Sequence, residues 1–473
     1  MNHPAATTKP LTIDNVRENI VGIDTVVPLL DGTRRPYINL DNAASTPVLR
    51  PVLDTINEFM GWYSSVHRGT GIKSQVATHA YEQAHEVAMQ FAGADPETHT
   101  VIFGKNATES LNKLAHRFPF KAGDVVITTL MEHHSNDLPW RQAAEVVHTE
   151  VDKNGALDDE HLDYLLQQYA RRVKLVVVTG AANVSGYINP IHDIARKVHA
   201  AGAKILVDAA QLAPHRKVSM GSVDDPAHLD FLITASHKMY APFGSSCLFG
   251  PKEIFLEGDP DMVGGGTVDI VTVNSVKWAD LPDREEAGSP NVVGGVAQAK
   301  TMQSLMQIGM ENIAAHEAEL TAYLLKKLNA IPQIKVFGLS DPARAAERVG
   351  VVPLQVEGVD HYLTAAILSA EGGIGVRNGC FCAHPYLFKL LGLDEKASAS
   401  YQQEIISGTK AHLPGLVRIS FGCYNNSDDV DHLVEMLEKI VRRETRGHYQ
   451  QDPASGAYWP QDFEIEPQRY FSL

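Results

Sequence analysis

Cysteine is scarce in this chain: four residues, at positions 247, 380, 382 and 423, among 473. So few thiols exclude a disulfide framework and fit a reducing cytoplasm. Long apolar runs are missing too. No stretch reaches the length of a spanning helix, and the first ten residues, Met1 to Pro10, hold no apolar core of a secretory signal. Neither a membrane protein nor an exported one is expected. Positive charge is in deficit, with 41 Lys and Arg against 57 Asp and Glu and a formal net charge of −16. Nucleic acid and anionic membrane are therefore not expected as partners, although a local positive pocket can still take an anionic cofactor. Internal repeats and low-complexity segments are also absent.

What is present is ordinary globular composition, 44% hydrophobic and 21% charged, with ample length for a large core. Between residues 100 and 249 short apolar runs alternate with amphipathic stretches. Strands are expected over Thr100–Phe103, Val125–Thr129, Leu175–Thr179, Lys204–Val207, Phe231–Ala235 and Cys247–Phe249. Helices are expected over Val48–Tyr63, Thr78–Gly93, Thr108–His116 and Pro190–Ala201, with a further one after Met131-Glu-His-His-Ser-Asn136. This order argues for an α/β protein with a mostly parallel central sheet and helices on both faces. After Gly266 the pattern changes. Helices over 296–309 and 312–329 lead into a smaller α+β region, in which Pro353 makes the 351–356 run an edge strand at best. Four segments are expected: an N-terminal arm over 1–35, a large domain over 36–300, a small domain over 301–442 and a tail over 443–473.

In parallel sheets ligands bind beyond the carboxyl ends of the strands, so residues just after each strand are read chemically. Lys238 follows the Phe231–Ala235 run in Ser236-His-Lys238, where burial lowers an amine's pKa and leaves a nucleophile. Asp208 ends the run Ile205-Leu-Val207, and Gln211 follows three residues on. Glu132-His133-His134 follows another strand, and Thr108 opens a helix after the first. Alone, each has a plainer reading: Lys238 a surface lysine, Thr108 and Asp208 helix N-caps, the histidines a metal pair or solvated side chains. Together they can hold one molecule. Threonine and helix dipole take a phosphate, an imidazole covers a ring, a carboxylate pairs a pyridinium nitrogen and a lysine forms a Schiff base. That molecule is pyridoxal 5′-phosphate.

Nine pieces then occur in order: Leu40-Asp-Asn-Ala-Ala-Ser-Thr-Pro47, Val66-His-Arg-Gly69, Ala107-Thr-Glu109, Met131-Glu-His-His-Ser-Asn136, Val207-Asp-Ala-Ala-Gln211, Ser236-His-Lys238, Ala287-Gly-Ser-Pro-Asn291, Arg377-Asn-Gly-Cys-Phe-Cys-Ala-His-Pro385 and Val417-Arg-Ile-Ser420. Across roughly 37–440 the sequence resembles the class V aminotransferase-like, fold-type I pyridoxal-phosphate enzymes, in particular the SUF-type cysteine desulfurases and selenocysteine lyases. The resemblance implies a fold-type I transferase with a small α+β C-terminal domain. It makes Lys238 the cofactor lysine, Asp208 the ring-nitrogen partner, Gln211 a phenolate-oxygen contact and His133 the stacking and proton-shuttling residue. Thr108 and His237 would contact the phosphate. Ser289 would reach the neighbouring subunit's phosphate in a homodimer. Asn183 would approach cofactor and substrate, and Arg418, with Arg377 nearby, would bind the carboxylate of a small amino-acid substrate. Cys382 aligns with the desulfurase nucleophile. The implied reaction takes L-cysteine to L-alanine, leaves a persulfide on Cys382 and delivers sulfur to an acceptor protein, with Arg377 and His384 favouring the thiolate.

The chain also departs from that pattern. The stretch 383–417 is longer than in the SUF-type enzymes and carries a helix-like piece over Glu395–Ser407. Ala107 and Ala235 stand where hydroxyl residues are expected. Cys380-Phe-Cys382 resembles molybdenum-cofactor sulfurases, and the 375–385 motif resembles C–S lyases of the ergothioneine pathway. Alternatives from the same residues are a C–S β-lyase, an aminotransferase, an epimerase or decarboxylase, or a non-catalytic cofactor-binding scaffold.

Overall fold

The computed structural model describes residues 9–67 and 69–473. The first eight residues of the expected arm, and Arg68 of the Val66–Gly69 motif, lie outside the described residues. Ile38–Asn39 forms a short strand, β1. Seven more strands build one sheet: β2 (His99–Gly104), β3 (Val125–Thr129), β4 (Glu145–Thr149), β5 (Val173–Thr179), β6 (Lys204–Asp208), β7 (Phe231–Ala235) and β8 (Ser246–Pro251). Their order is β2-β8-β7-β6-β5-β3-β4. Strands β7, β6, β5, β3 and β4 run parallel, and β8 runs against both of its neighbours. The fold is α/β of fold-type I, with a mostly parallel sheet.

Both faces of the sheet's inner strands are dry, which is why they read as continuous apolar runs rather than as alternation. Val125, Ile127, Val176, Val178, Ile205 and Val207 enter one core with helical residues such as Ile194, Val198 and Ala297. Their neighbours Val126, Leu175, Val177 and Leu206 enter another with Leu111, Leu114 and Trp140. Each such side chain contributes about 1.5–3 kcal/mol by leaving water, so a one-residue slip of register would be costly.

A second sheet has the order β9-β10-β13-β12, from β9 (Ile334–Val336), β10 (Val351–Val356), β12 (Arg377–Gly379) and β13 (Leu416–Ser420), all antiparallel. Strand β11 (Ile374–Gly375) pairs in parallel with β1. Ile38 and Leu40 consequently pack in one core with apolar residues of 320–440. Pro353 lies inside this sheet, not at its edge. Its carbonyl accepts from Phe337 N, one residue beyond the end of β9, so its missing N–H faces a place where the neighbouring strand has stopped.

Several elements differ from expectation. The helix expected from Thr78 begins at Ile72, six residues earlier, and its first turn is tied down by Ser74 Oγ donating to Ser65 O at 2.6 Å. After Met131 there is no long helix, only the turns His134–Asn136 and Trp140–Ala143. β4, the helix Asp159–Gln168 and the exposed hairpin Val268–Val271/Val276–Trp278 come in addition to the expected elements. The 383–417 stretch contains the expected helix, Glu395–Ile406, and a second one, His384–Leu391. The tail forms a hairpin whose Tyr449 hydroxyl donates to Glu371. Among the described residues, no helix is long and apolar enough to cross a membrane.

Candidate active site

A cleft of about 440 Å³ opens at the carboxyl ends of the parallel strands. Lys238, Asp208, Gln211, His133, Thr108, Asn183, His237, Arg418, Arg377 and Cys382 all line it. Ser289 does not; it is exposed on a loop whose Gly288 N donates to Gly265 O.

Lys238 sits three residues past β7, in a single turn of 3-10 helix. The turn is held from outside. His237 O accepts from Thr46 N at 2.9 Å and from the hydroxyls of Ser45 and Thr46. Thr46 Oγ1 in turn accepts from Tyr240 N at 2.7 Å. The Leu40–Pro47 motif thus fixes the lysine turn. Nζ of Lys238 has no hydrogen-bond partner among the described residues. Burial pushes the amine down to about 8, with Asp208 opposing and Arg418 reinforcing the shift. A lysine in that range supplies neutral amine near physiological pH.

Asp208 is the last residue of β6, one strand from β7. One carboxylate oxygen accepts from Ala210 N at 2.9 Å, and the residue lines the cleft. Burial raises its pKa, so it gains most from a cationic partner. Gln211 Nε2 donates to Ala43 O at 2.6 Å and keeps its second N–H, while Oε1 is buried with no partner. His133 Nδ1 accepts from Ser135 N at 3.1 Å, which places the ring proton on Nε2. Burial, then Lys238, hold this imidazole down at about 3, so it is neutral at working pH. His237 is held at about 4 for the same two reasons.

Thr108 is not the cap of its helix. Asn106 takes that role, accepting from Glu109 N at 2.9 Å. Thr108 Oγ1 is left in the second helical position, 2.8 Å from Ser135 Oγ. The two hydroxyls and a helix N-terminus face the cleft together, an arrangement suited to a phosphate. Ser135 was missed as a site residue, although it stands in the quoted 131–136 motif. So was Glu132, which is buried beneath His133 and accepts from Thr129 Oγ1, Thr179 N and Asn136 Nδ2. Burial outweighs those bonds and raises its carboxyl to about 8.

Arg418, 3% exposed, reaches the cleft from β13. Nη1 donates to Asn183 O at 2.9 Å, Nη2 to Asp41 Oδ1 at 3.2 Å, and Nε is buried without a partner. Burial lowers its pKa to about 10, which leaves it charged. Arg377 Nε shares the other oxygen of Asp41 at 3.2 Å. Asp41 was quoted within a motif but given no role; it organises both arginines.

Cys382 is exposed at the mouth of the cleft. It and Phe381 both have φ of +54°. Left-handed backbone at a non-glycine residue costs about 1–3 kcal/mol, so two in succession require compensation. Asn183 Nδ2 donates to Phe381 O at 2.7 Å, and His134 N donates to Cys382 O at 2.8 Å. Phe381 also lies under the Arg418 guanidinium, 4.8 Å from its ring centre. Lys238, Arg418 and Arg377 are cations that line the cleft with Cys382. His384 does not act as such a cation, because burial lowers its pKa and keeps it neutral. Cys380 faces a different, apolar cavity of about 290 Å³, and its Sγ donates to Pro414 O. Burial pushes that thiol up to about 11.

A carboxylate at the end of one strand, an unpaired lysine past the next, a neutral imidazole and a hydroxyl-lined helix N-terminus form a donor set that fits pyridoxal phosphate. A family model for aminotransferase class V matches residues 38–433. The chain belongs to the class V aminotransferase family and is a pyridoxal-phosphate-dependent enzyme. Within that family it resembles the cysteine desulfurases. The cysteine desulfurase of Haloferax volcanii is 34% identical over 445 residues, 91% of this chain and 97% of that one. The cysteine desulfurase of Cronobacter sakazakii is 35% identical over 421 residues, 86% and 94%. The apo structure of the cysteine desulfurase from Thermococcus onnurineus NA1 superposes with a TM-score of 0.76 at 30% identity, covering 93% of this chain and all of that one.

Proposed function

We propose that this enzyme removes sulfur from L-cysteine, releases L-alanine and keeps the sulfur as a persulfide on Cys382. The observation that carries the reading is Cys382 itself, on a left-handed turn at the mouth of the cleft beside Lys238 and Arg418. Lys238 would bond the cofactor's aldehyde carbon, Asp208 would pair the ring nitrogen, His133 would cover the ring and Gln211 would donate to the phenolic oxygen. Thr108, Ser135 and His237 would bind the phosphate, with Ser289 of a second subunit in a homodimer. When bound, pyridoxal phosphate supplies an electron sink for the pair left on the substrate's Cα.

The remaining steps belong to the protein. Arg418, with Arg377 and Asn183 nearby, holds the substrate carboxylate. The Lys238 amine takes and returns the Cα proton. The Cys382 thiolate attacks the substrate sulfur, so the Cβ–S bond breaks as the S–S bond forms; the pair stays with Cβ, which takes a proton from water to become the alanine methyl group. An acceptor protein collects the terminal sulfur. Four unpaired thiols support a reducing compartment, the cytoplasm.

Incubation of the holoenzyme with L-cysteine, followed by alanine quantification and mass spectrometry of the Cys382 peptide with and without thiol reductant, tests this. A reductant-labile gain of one sulfur, matched by alanine, is expected. Pyruvate and free sulfide with an unmodified Cys382 would transfer the chain to the β-lyases.

A further inference from the structure

The helix His384–Leu391 begins without a cap of its own. Its N-cap position is Ala383, which offers no side-chain acceptor, and Pro385 brings no N–H. The acceptor comes from far away in sequence. His134 Nε2 takes the backbone N–H of His384 at 3.3 Å and lies 3.1 Å from His384 Nδ1. The two rings are parallel within 5°, with centres 4.9 Å apart. A backbone amide can only donate, so His134 Nε2 is an acceptor and its proton sits on Nδ1. The facing nitrogen of His384 is then the donor. The same His134 gives its backbone N–H to Cys382 O. One residue therefore grips the strained turn on both sides of Ala383.

We propose that His134 and His384 form a neutral imidazole clamp that holds Cys382 at the mouth of the cleft, making His384 a positioning residue for the nucleophile. The proposal rests on the desulfurase reading only for its catalytic readout. Protonating His134 at Nε2 would set a proton against two donors, at a helix N-terminus that already repels positive charge. The groups facing His134 are His384, Asp137, Arg141 and, on its own turn, His133; the group packed on His384 is Phe388. Asp137 is already paired with Arg141 and His148. Burial lowers the pKa of both imidazoles below the ordinary 6.5. The clamp is therefore whole above pH 6.5 and is lost as pH falls through the lowered values.

The test uses holoenzyme, iodoacetamide as the probe of Cys382 (read by peptide mass spectrometry) and L-cysteine as substrate. His384→Leu removes the donor, whereas His384→Asn keeps an N–H near the Nδ1 position. His134→Gln keeps an acceptor near Nε2 but does not titrate. In His384→Leu, persulfide formation and Cys382 alkylation at pH 7 should each slow about three- to tenfold, the range set by one hydrogen bond, and His384→Asn should recover most of both. As pH falls below 6.5 alkylation should fall more steeply in the wild type than in His134→Gln. Wild-type rates in His384→Leu, no recovery in His384→Asn, or equal slopes in the wild type and His134→Gln would each overturn the clamp. If His384→Leu fails to fold, the slope comparison decides. If the wild type makes no persulfide yet the alkylation differences hold, the desulfurase reading falls and the clamp stands.

Discussion

Asp41 stands 3.2 Å from the Arg418 guanidinium and bonds only one of its nitrogens. Asn183 O takes one N–H of the other terminal nitrogen, so Nη1 and Nη2 each keep a second N–H, while Nε is buried without a partner. A substrate carboxylate thus meets an arginine that is oriented but incompletely satisfied. Lysine cannot serve three partners in that plane. Arg418→Lys should raise KM for L-cysteine at least about tenfold, one lost charge-assisted bond, with a smaller change in kcat. Steady-state alanine release measures it, and an unchanged KM would remove Arg418 from the substrate.

The role of Cys382 separates two chemistries on one scaffold. Cys382→Ala should abolish persulfide and lower alanine formation by at least about a hundredfold, as loss of a covalent nucleophile does. The absorbance change on adding L-cysteine should survive, because the cofactor-binding groups are untouched. Undiminished turnover would assign the reaction to a lyase that needs no thiol.

Lys238 gives a pH prediction with a definite sign. Its folded value, about 8, lies below the ordinary 10.5. The reactive form is the neutral amine, so covalent cofactor capture by apoenzyme should quicken roughly tenfold per unit as pH rises toward 8 and level off above it. The same shift makes the empty lysine costly. Its contribution to stability is present above 10.5 and lost as pH falls through about 8. At pH 7 the holoenzyme should therefore melt higher than the apoenzyme, and the gap should narrow in alkali. Stopped-flow absorbance and calorimetry read the two effects; a capture rate still climbing at pH 10 contradicts the first.

Thr46 tests the support of the lysine turn. Its hydroxyl donates to His237 O and accepts from Tyr240 N. Thr46→Val should cost about 1–3 kcal/mol in urea unfolding of the apoenzyme, the range for unsatisfied buried groups, and should slow cofactor capture. A loss of stability with capture unchanged would make the contact merely structural.

The sheet was legible because its inner strands are dry on both faces. The runs Val125–Thr129 and Phe231–Ala235 have the observed ends, and Lys238, Asp208 and His133 followed from the rule that chemistry lies past strand ends. What stayed hidden depends on partners distant in sequence. Asp41 is one residue of the Leu40–Pro47 motif, without a role, until Arg418 and Arg377 arrive from the second sheet. Thr108 reads as a cap until Asn106 takes that place. Pro353 reads as an edge marker, and only the length of β9 shows why an interior position tolerates it. The hairpin at 268–278 is rich in β-branched apolar residues, yet Ile270, Val271, Val273 and Val276 stand exposed, so its strands do not follow from burial in a core.

The pairing of β1 with β11 bears on how the chain comes off the ribosome. Ile38 emerges early, but its partner Ile374 is made only when most of the polypeptide already exists. The segment carrying Asp41 therefore meets its strand partner only after all seven strands of the large sheet have been synthesised. Because Thr46 of that same segment holds the lysine turn and Asp41 orients the arginines, one early stretch of chain joins both halves of the pocket, and it can do so only after Arg418 has been made.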